Sequence, residues 1–302
     1  MLYIYTVSTI IHQMNYVMAN IITVFFQGNG APRSQAAMYA GNEGLDVMVN
    51  DNLEHVYIPD APLLLHNIFT YPELNDVGYG FTLNPLHHLT KLKNWAMAYY
   101  LDIHGSSLAH NFVTNMNIGG NEDVNQLIDA IDNCVKVHPE KKIVLFGCSR
   151  GASTVVTTLA KLQQLQRQDL LDRIKLVIVE APFDSVENVI KTRSWFPSPT
   201  MYAINRFTSY DEKQMSPIDA VSSESFPLNV PIAFIMSEID TSVPIENTMN
   251  LVNVLRGKNH PHLHELVLKN CSHSAMPLST DRNEYVKFIE SLYVQYMDDS
   301  HI

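Results

Sequence analysis

The sequence predicts an α/β fold with a mostly parallel central sheet flanked by helices, and three observations carry that expectation. Short runs rich in Ile, Val, Leu and Phe alternate along the chain with segments of helical periodicity. Most of these runs are apolar on successive residues, as strands covered on both faces of a parallel sheet are. One of them, KIVLFG at 142–147, passes without a linker through Cys148-Ser149-Arg150-Gly151 into a helical pattern. Strand, helix and strand repeated in this way argue for right-handed crossovers.

Six strands are expected, at 21–26 (IITVFF), 55–59 (HVYIP), 142–147, 174–180 (IKLVIVE), 231–236 (PIAFIM) and 263–268 (LHELVL). Between them, residues 121–138 set Val124, Leu127, Ile128, Ile131 and Val135 on one stripe and stop before Pro139. ASTVVTTLAKLQQLQ follows the serine, and residues 245–257 end on Gly257, a common helix stop. Two stretches break the alternation. Residues 60–120 are irregular, with several Pro, Gly, His and Asn, although WAMAYYLDI (95–103) reads as a strand or a helix. Residues 184–230 hold Pro197, Pro199, Pro217 and Pro227 around short amphipathic pieces. Insertions of this length in a compact domain are usually lids or irregular surface loops. The expectation is one domain over 1–302, with a small helical lid at about 184–230 and an irregular insertion at about 60–120.

Composition narrows the function. With 46% hydrophobic and 17% charged residues, the chain has enough apolar material for a sizeable core and is not globally disordered. The net charge is −11 and no basic run exceeds Lys141-Lys142, so a nucleic-acid partner is not expected. Three cysteines, Cys134, Cys148 and Cys271, are odd in number and lack metal-like spacing, which suits a reducing compartment. Residues 1–26 are apolar but interrupted by His12, Gln13, Asn15 and Asn20, with neither a basic leader nor a small-residue cleavage site. No uninterrupted apolar stretch reaches the length of a membrane span, so stable membrane insertion is not expected and the location is read as cytoplasmic.

Gly147-Cys148-Ser149-Arg150-Gly151 fits a nucleophile elbow, G-x-S-x-G between strand and helix. The sharp turn presents Ser149 at the carboxyl edge of the sheet. Flanking glycines let neighbouring backbone pass, and the helix N-terminus lends a positive end. Cys148 is off the apex. A hydroxyl needs a base to take its proton, and the base needs an acid to hold its tautomer. On this architecture the order along the chain is serine, acid, histidine. Asp240 follows a buried strand, and His273 follows the last expected strand. Asp184, after the preceding strand, is the rival acid, and Glu238 sits closer to its strand end. His260, His262 and His264 alternate along a possible strand and leave a metal reading open, though no carboxylate or cysteine pattern accompanies them.

The developing oxyanion needs donors. One is expected from the amide of Arg150, after the nucleophile. For the second, Asn29 in the Gly28-Asn29-Gly30 loop is preferred, with His104-Gly105 as the rival. Arg33 or Arg150 could alternatively bind an acidic substrate group, against the default of an ion-paired arginine.

GCSRG (147–151), SEIDTSVP (237–244) and NCSHSAM (270–276) resemble the three signature sites of the α/β-hydrolase fold superfamily. The last third, MSPIDAV through LVLKNCSHSA, is similar to the catalytic domains of prolyl-oligopeptidase-like and dienelactone-hydrolase-like enzymes. The resemblance implies Ser149 as nucleophile, Asp240 as acid and His273 as base. Three departures stand out. About 20 residues precede the first strand, so a reduced N-terminal sheet edge is expected, and no preceding β-propeller is expected, which would argue against a true oligopeptidase. Gln27 also stands where an H-G oxyanion loop has histidine. The expected activity is a serine hydrolase acting on a carboxylic ester or thioester with no cofactor or metal. A short-peptide peptidase and a non-catalytic binding protein on the same fold are the alternatives.

Overall fold

The structure is a computed structural model, and it describes residues 21–26, 54–57, 120–193, 196–207, 210–273, 276 and 279–297. Among the described residues, six strands build one sheet: β1 (Ile21–Phe26), β2 (Glu54–Tyr57), β3 (Lys142–Cys148), β4 (Ile174–Glu180), β5 (Ile232–Ser237) and β6 (Leu263–Leu268). Their order is β2-β1-β3-β4-β5-β6, and every neighbouring pair is parallel. The expected strands therefore appear, those at 21–26, 174–180 and 263–268 with the expected bounds and the other three with ends shifted by one or two residues. Asn29, Arg33, the 60–119 stretch with its 95–103 segment, and His104-Gly105 lie outside the described residues.

Successive apolar residues in the strands follow from two separate cores. Val144, Phe146 and Cys148 of β3, with Leu176 and Ile178 of β4 and Ala233 and Ile235 of β5, face one layer. That layer is α8 (Arg282–Met297) together with α4 (Val186–Arg193) and α5 (Pro197–Phe207). Ile143 and Leu145, Val177 and Val179, and Phe234 and Met236 face the other. There α1 (Asn121–Val137), α2 (Arg150–Gln164), α6 (Pro217–Ser222) and α7 (Ile245–Gly257) cover the sheet. A short helix, α3 (Gln168–Leu171), bridges α2 to β4. Each buried aliphatic or aromatic side chain contributes about 1.5–3 kcal/mol of apolar transfer, so both faces of these strands are mostly apolar.

The stretch expected to form the lid contains α4, α5 and α6. Of these, α6 starts with a capping box: Ser216 accepts from the Asp219 amide, while the Asp219 carboxylate accepts from the Ser216 amide. Its Ala220 and Val221 join the core beneath α2 and α7. Helix α8 was not expected from the sequence. Tyr285, Ile289, Leu292, Tyr293 and Met297 form its buried face, and two of these five carry hydroxyls that blur the apolar stripe.

The turn after α7 holds a buried titratable group. Asn259 takes φ 54, and His260 is 7% exposed. Its Nδ1 accepts the His262 amide at 3.2 Å, which leaves the proton of the neutral ring on Nε2. Burial, aided by the neighbouring His262, pushes the His260 pKa from 6.5 down to about 4. Burial also lowers that of His264. A base with a depressed folded pKa binds fewer protons than its unfolded form between those two values. Stability from His260 is therefore complete above about pH 6.5, drains as the pH falls, and is gone below about pH 4. The Tm lost between pH 7 and pH 4.5 should be smaller in His260→Gln than in the wild type. An equal loss in both would show that protonating His260 does not unfold the protein.

Candidate active site

The elbow is made by backbone geometry. β3 ends at Cys148 and α2 begins at Arg150, so Ser149 alone forms the turn, with φ 53 and ψ −115. Few non-glycine residues adopt this region, and surrounding contacts must enforce it. The Ser149 amide donates to the Glu180 carbonyl of β4 at 2.8 Å, and its carbonyl accepts the Ser153 amide at 3.0 Å. A Cβ on Gly147 would stand 2.6 Å from the Gly151 carbonyl oxygen and 2.7 Å from the Ala152 nitrogen and Cα. The departing helix passes too close to β3 for any side chain there. Ser153 also fixes the loop after β4, since its hydroxyl donates to the Phe183 carbonyl at 3.1 Å and accepts the Phe183 amide at 2.9 Å.

Asp240 leaves β5 on a tight turn whose amides grip it. Its Oδ1 accepts from Ser242 at 2.7 Å and from Val243 at 2.9 Å. Its Oδ2 faces His273 Nδ1 at 2.6 Å, and His273 Nε2 lies 2.8 Å from Ser149 Oγ. The Asp240 carboxylate is 1% exposed and the His273 ring 16% exposed, so the carboxylate is sealed while the imidazole stays reachable. An acceptor at Nδ1 selects the tautomer with its proton there, which leaves Nε2 to accept from the serine hydroxyl. Three residues far apart in sequence thus meet at the carboxyl edge of β3, β5 and β6.

The His273 loop is held by the residue just before α8. Asp281 accepts the amides of Lys269 at 2.8 Å and Asn270 at 2.7 Å, and the Asn270 side chain at 3.1 Å. The Asn270 amides hold its carboxyl below the usual aspartate range. Sequence reading passed over Asp281 because its partners are 11 and 12 residues away, on a loop that only the folded sheet brings beside it.

The rival candidates have other partners. The Asp184 carboxylate accepts from the Ser185 amide at 2.6 Å, Asn188 Nδ2 at 2.8 Å and Asn250 Nδ2 at 2.7 Å, which ties α4 to α7. Cys148 points into the core on the α8 side. Glu180 is fully buried and accepts the Tyr285 hydroxyl. Arg150 opens α2, so its amide belongs to the helix N-terminus. Its buried side chain lies with the guanidinium 5.5 Å from the Phe26 ring centroid and Nε 3.8 Å from Asp123. That direction is toward β1 and α1 rather than toward an acidic substrate. His264 Nε2 stands 2.6 Å from the Tyr296 hydroxyl. Among the described residues no three or more His, Cys, Asp or Glu gather as a metal site, and no helix is long and apolar enough to cross a membrane.

Comparison with known proteins gives the same architecture. The model of the prolyl oligopeptidase family matches residues 96–300. No curated protein matches the chain. Among solved structures, uncomplexed acylaminoacyl peptidase from Pyrococcus horikoshii is similar, with a TM-score of 0.54 and 15% identity over 93% of this chain and 38% of that one. Its orthorhombic crystal form gives a TM-score of 0.53 and 15% identity over 92% and 37%. An acylaminoacyl peptidase bound to Z-Gly-Gly-Phe-chloromethyl ketone gives 0.53 at 14% identity, over 92% of this chain and 37% of that one. The chain thus spans under two fifths of the length of these peptidases, and at such identity the likeness is one of fold. With the family model covering more than half of its residues, the chain belongs to the prolyl oligopeptidase family, within the α/β-hydrolase-fold serine hydrolases.

Proposed function

We propose that the chain hydrolyses a small acyl substrate through an acyl-enzyme on Ser149. The observation that carries this reading is the continuous pair of contacts from Asp240 Oδ2 to His273 Nδ1 (2.6 Å) and from His273 Nε2 to Ser149 Oγ (2.8 Å). Ser149 Oγ attacks the carbonyl carbon as its proton passes to His273 Nε2, and Asp240 stabilises the resulting imidazolium. The oxyanion is held by the Arg150 amide, with Asn29 as the second donor read from the sequence. His273 then protonates the leaving group. Water next attacks the acyl carbon with His273 again as base, and the acid departs with Ser149 restored. These steps move only protons and an acyl group, so they call for neither a metal nor an organic cofactor.

A carboxylic ester or thioester is the first substrate reading, and a short peptide the second. Family membership and the acylaminoacyl peptidase neighbours favour the second, because amide hydrolysis is the chemistry those names describe. The domain is read as a single unit with a lid at about 184–230. Three buried cysteines that form no disulfide support a reducing, cytoplasmic setting.

The test is covalent labelling by a fluorophosphonate probe. Wild-type protein should take the label and Ser149→Ala should take none. Activity on an aryl ester beside an N-acyl peptide anilide would then separate the two substrate readings. A folded wild type that stays unlabelled would favour a non-catalytic binding protein on the same fold.

A further inference from the structure

The last residue of β5 links the two loops that carry the acid and the base. Ser237 is 1% exposed and pairs with Leu268 at the end of β6. Its hydroxyl donates to the Cys271 carbonyl at 2.6 Å, two residues before His273. The same oxygen accepts the Ile239 amide, longer at 3.4 Å, one residue before Asp240. The last rung of the β5–β6 ladder at this edge runs from the Glu238 amide to the Leu268 carbonyl at 2.9 Å. Beyond it the chains turn away from each other. The first half of the histidine loop is taken by Asp281, just before α8, and the acid is gripped by its own turn. Ser237 spans the gap between them.

We propose that Ser237 is a positioning residue that sets the Asp240–His273 contact, and through it the reach of His273 Nε2 to Ser149. The inference rests on the acyl-transfer reading above. The imidazole is useful only when one nitrogen meets Asp240 while the other meets Ser149, and a drift of about 1 Å in such an arrangement costs on the order of 100-fold in rate. A hydroxyl on the buried end of β5 is well suited to prevent that drift. It is short and held by sheet backbone, and it bonds the backbone of the histidine loop rather than a mobile side chain.

The test compares wild type, Ser237→Ala and Ser237→Thr on an aryl ester, with fluorophosphonate labelling rates measured in parallel. Tyr293→Phe serves as a control, since it removes a buried hydrogen bond to Thr23 away from the triad. Ser237→Ala should lower kcat and the labelling rate roughly tenfold, about the worth of one buried hydrogen bond, with KM unchanged. Ser237→Thr, which keeps the oxygen, should recover most of the loss. The control should lower Tm without touching kcat. If Ser237→Ala does not fold, Ser237→Cys carries the test, because a thiol of similar size is a weaker donor and should give a smaller fall in kcat. A folded Ser237→Ala, or Ser237→Cys in its place, with wild-type kcat and labelling rate overturns the proposal while leaving the acyl-transfer reading intact. Unlabelled wild type overturns both.

Discussion

Asp240→Asn should lower aryl-ester turnover by about 10⁴-fold, the scale set by losing the correct histidine tautomer in a serine triad. The geometry here dictates which way the new amide points. Oδ1 of Asp240 accepts two backbone amides, from Ser242 and Val243. A carboxamide can satisfy both only by putting its oxygen there. Its NH₂ must then occupy the Oδ2 position, 2.6 Å from His273 Nδ1. That nitrogen is forced to accept, so the ring proton moves to Nε2 and faces Ser149, where a base is needed. Asp184→Asn serves as the counter-test. Its carboxylate accepts three donors from α4, α7 and the adjoining loop. An amide that keeps its oxygen toward Asn188 and Asn250 must therefore set its NH₂ against the Ser185 backbone N–H, which should cost about 1–3 kcal/mol of stability while most of the turnover survives. Steady-state kinetics of both variants at a temperature where each is folded decide the matter. A dead Asp184→Asn beside an active Asp240→Asn would move the acid to the loop after β4.

The contrast between these two aspartates marks how far sequence alone could go. Both follow a buried strand, both are buried, and either position suits a serine–acid–histidine order. Their partners separate them, and those partners come from Asn250 on α7 in one case and His273 beyond β6 in the other. The strands were legible because burial on both faces writes itself as unbroken apolar runs such as Ile143 to Phe146. The elbow was legible because steric exclusion at Gly147 is enforced on the residue itself. Contacts across the fold leave no such local mark. Ser237 reads in the sequence as an ordinary strand-end serine, Asp281 as a loop residue, and Tyr285 as one more aromatic in a weakly patterned helix. Asn29, proposed as the second oxyanion donor, lies outside the described residues.

Gly147→Ala should be among the most damaging single changes to the fold and the site together. The added methyl would meet the Gly151 carbonyl oxygen at 2.6 Å and the Ala152 backbone at 2.7 Å. Flexible side chains can swing away from such a clash, but these atoms are the first turn of α2. That turn is buried between β3 and the layer containing α1 and α6. Either β3 and α2 separate or Ser149 leaves its φ of 53, and both routes displace the hydroxyl from His273. Overpacking of this sort costs about 1–3 kcal/mol, with the upper end expected where the clashing atoms are backbone. Displacement of the hydroxyl by about 1 Å adds a loss near 100-fold in labelling rate. Gly257→Ala is the matched control. A Cβ there has no neighbour within 4 Å, so alanine at the end of α7 should leave stability unchanged or raise it by up to about 1 kcal/mol. Thermal unfolding of the two variants, with labelling measured below both transitions, separates steric exclusion at the elbow from a general intolerance of glycine replacement. Wild-type Tm and labelling in Gly147→Ala would mean that α2 can retreat from β3 at little cost, and the strained turn would then owe its geometry to the Ser149–Glu180 and Ser153–Ser149 backbone bonds alone.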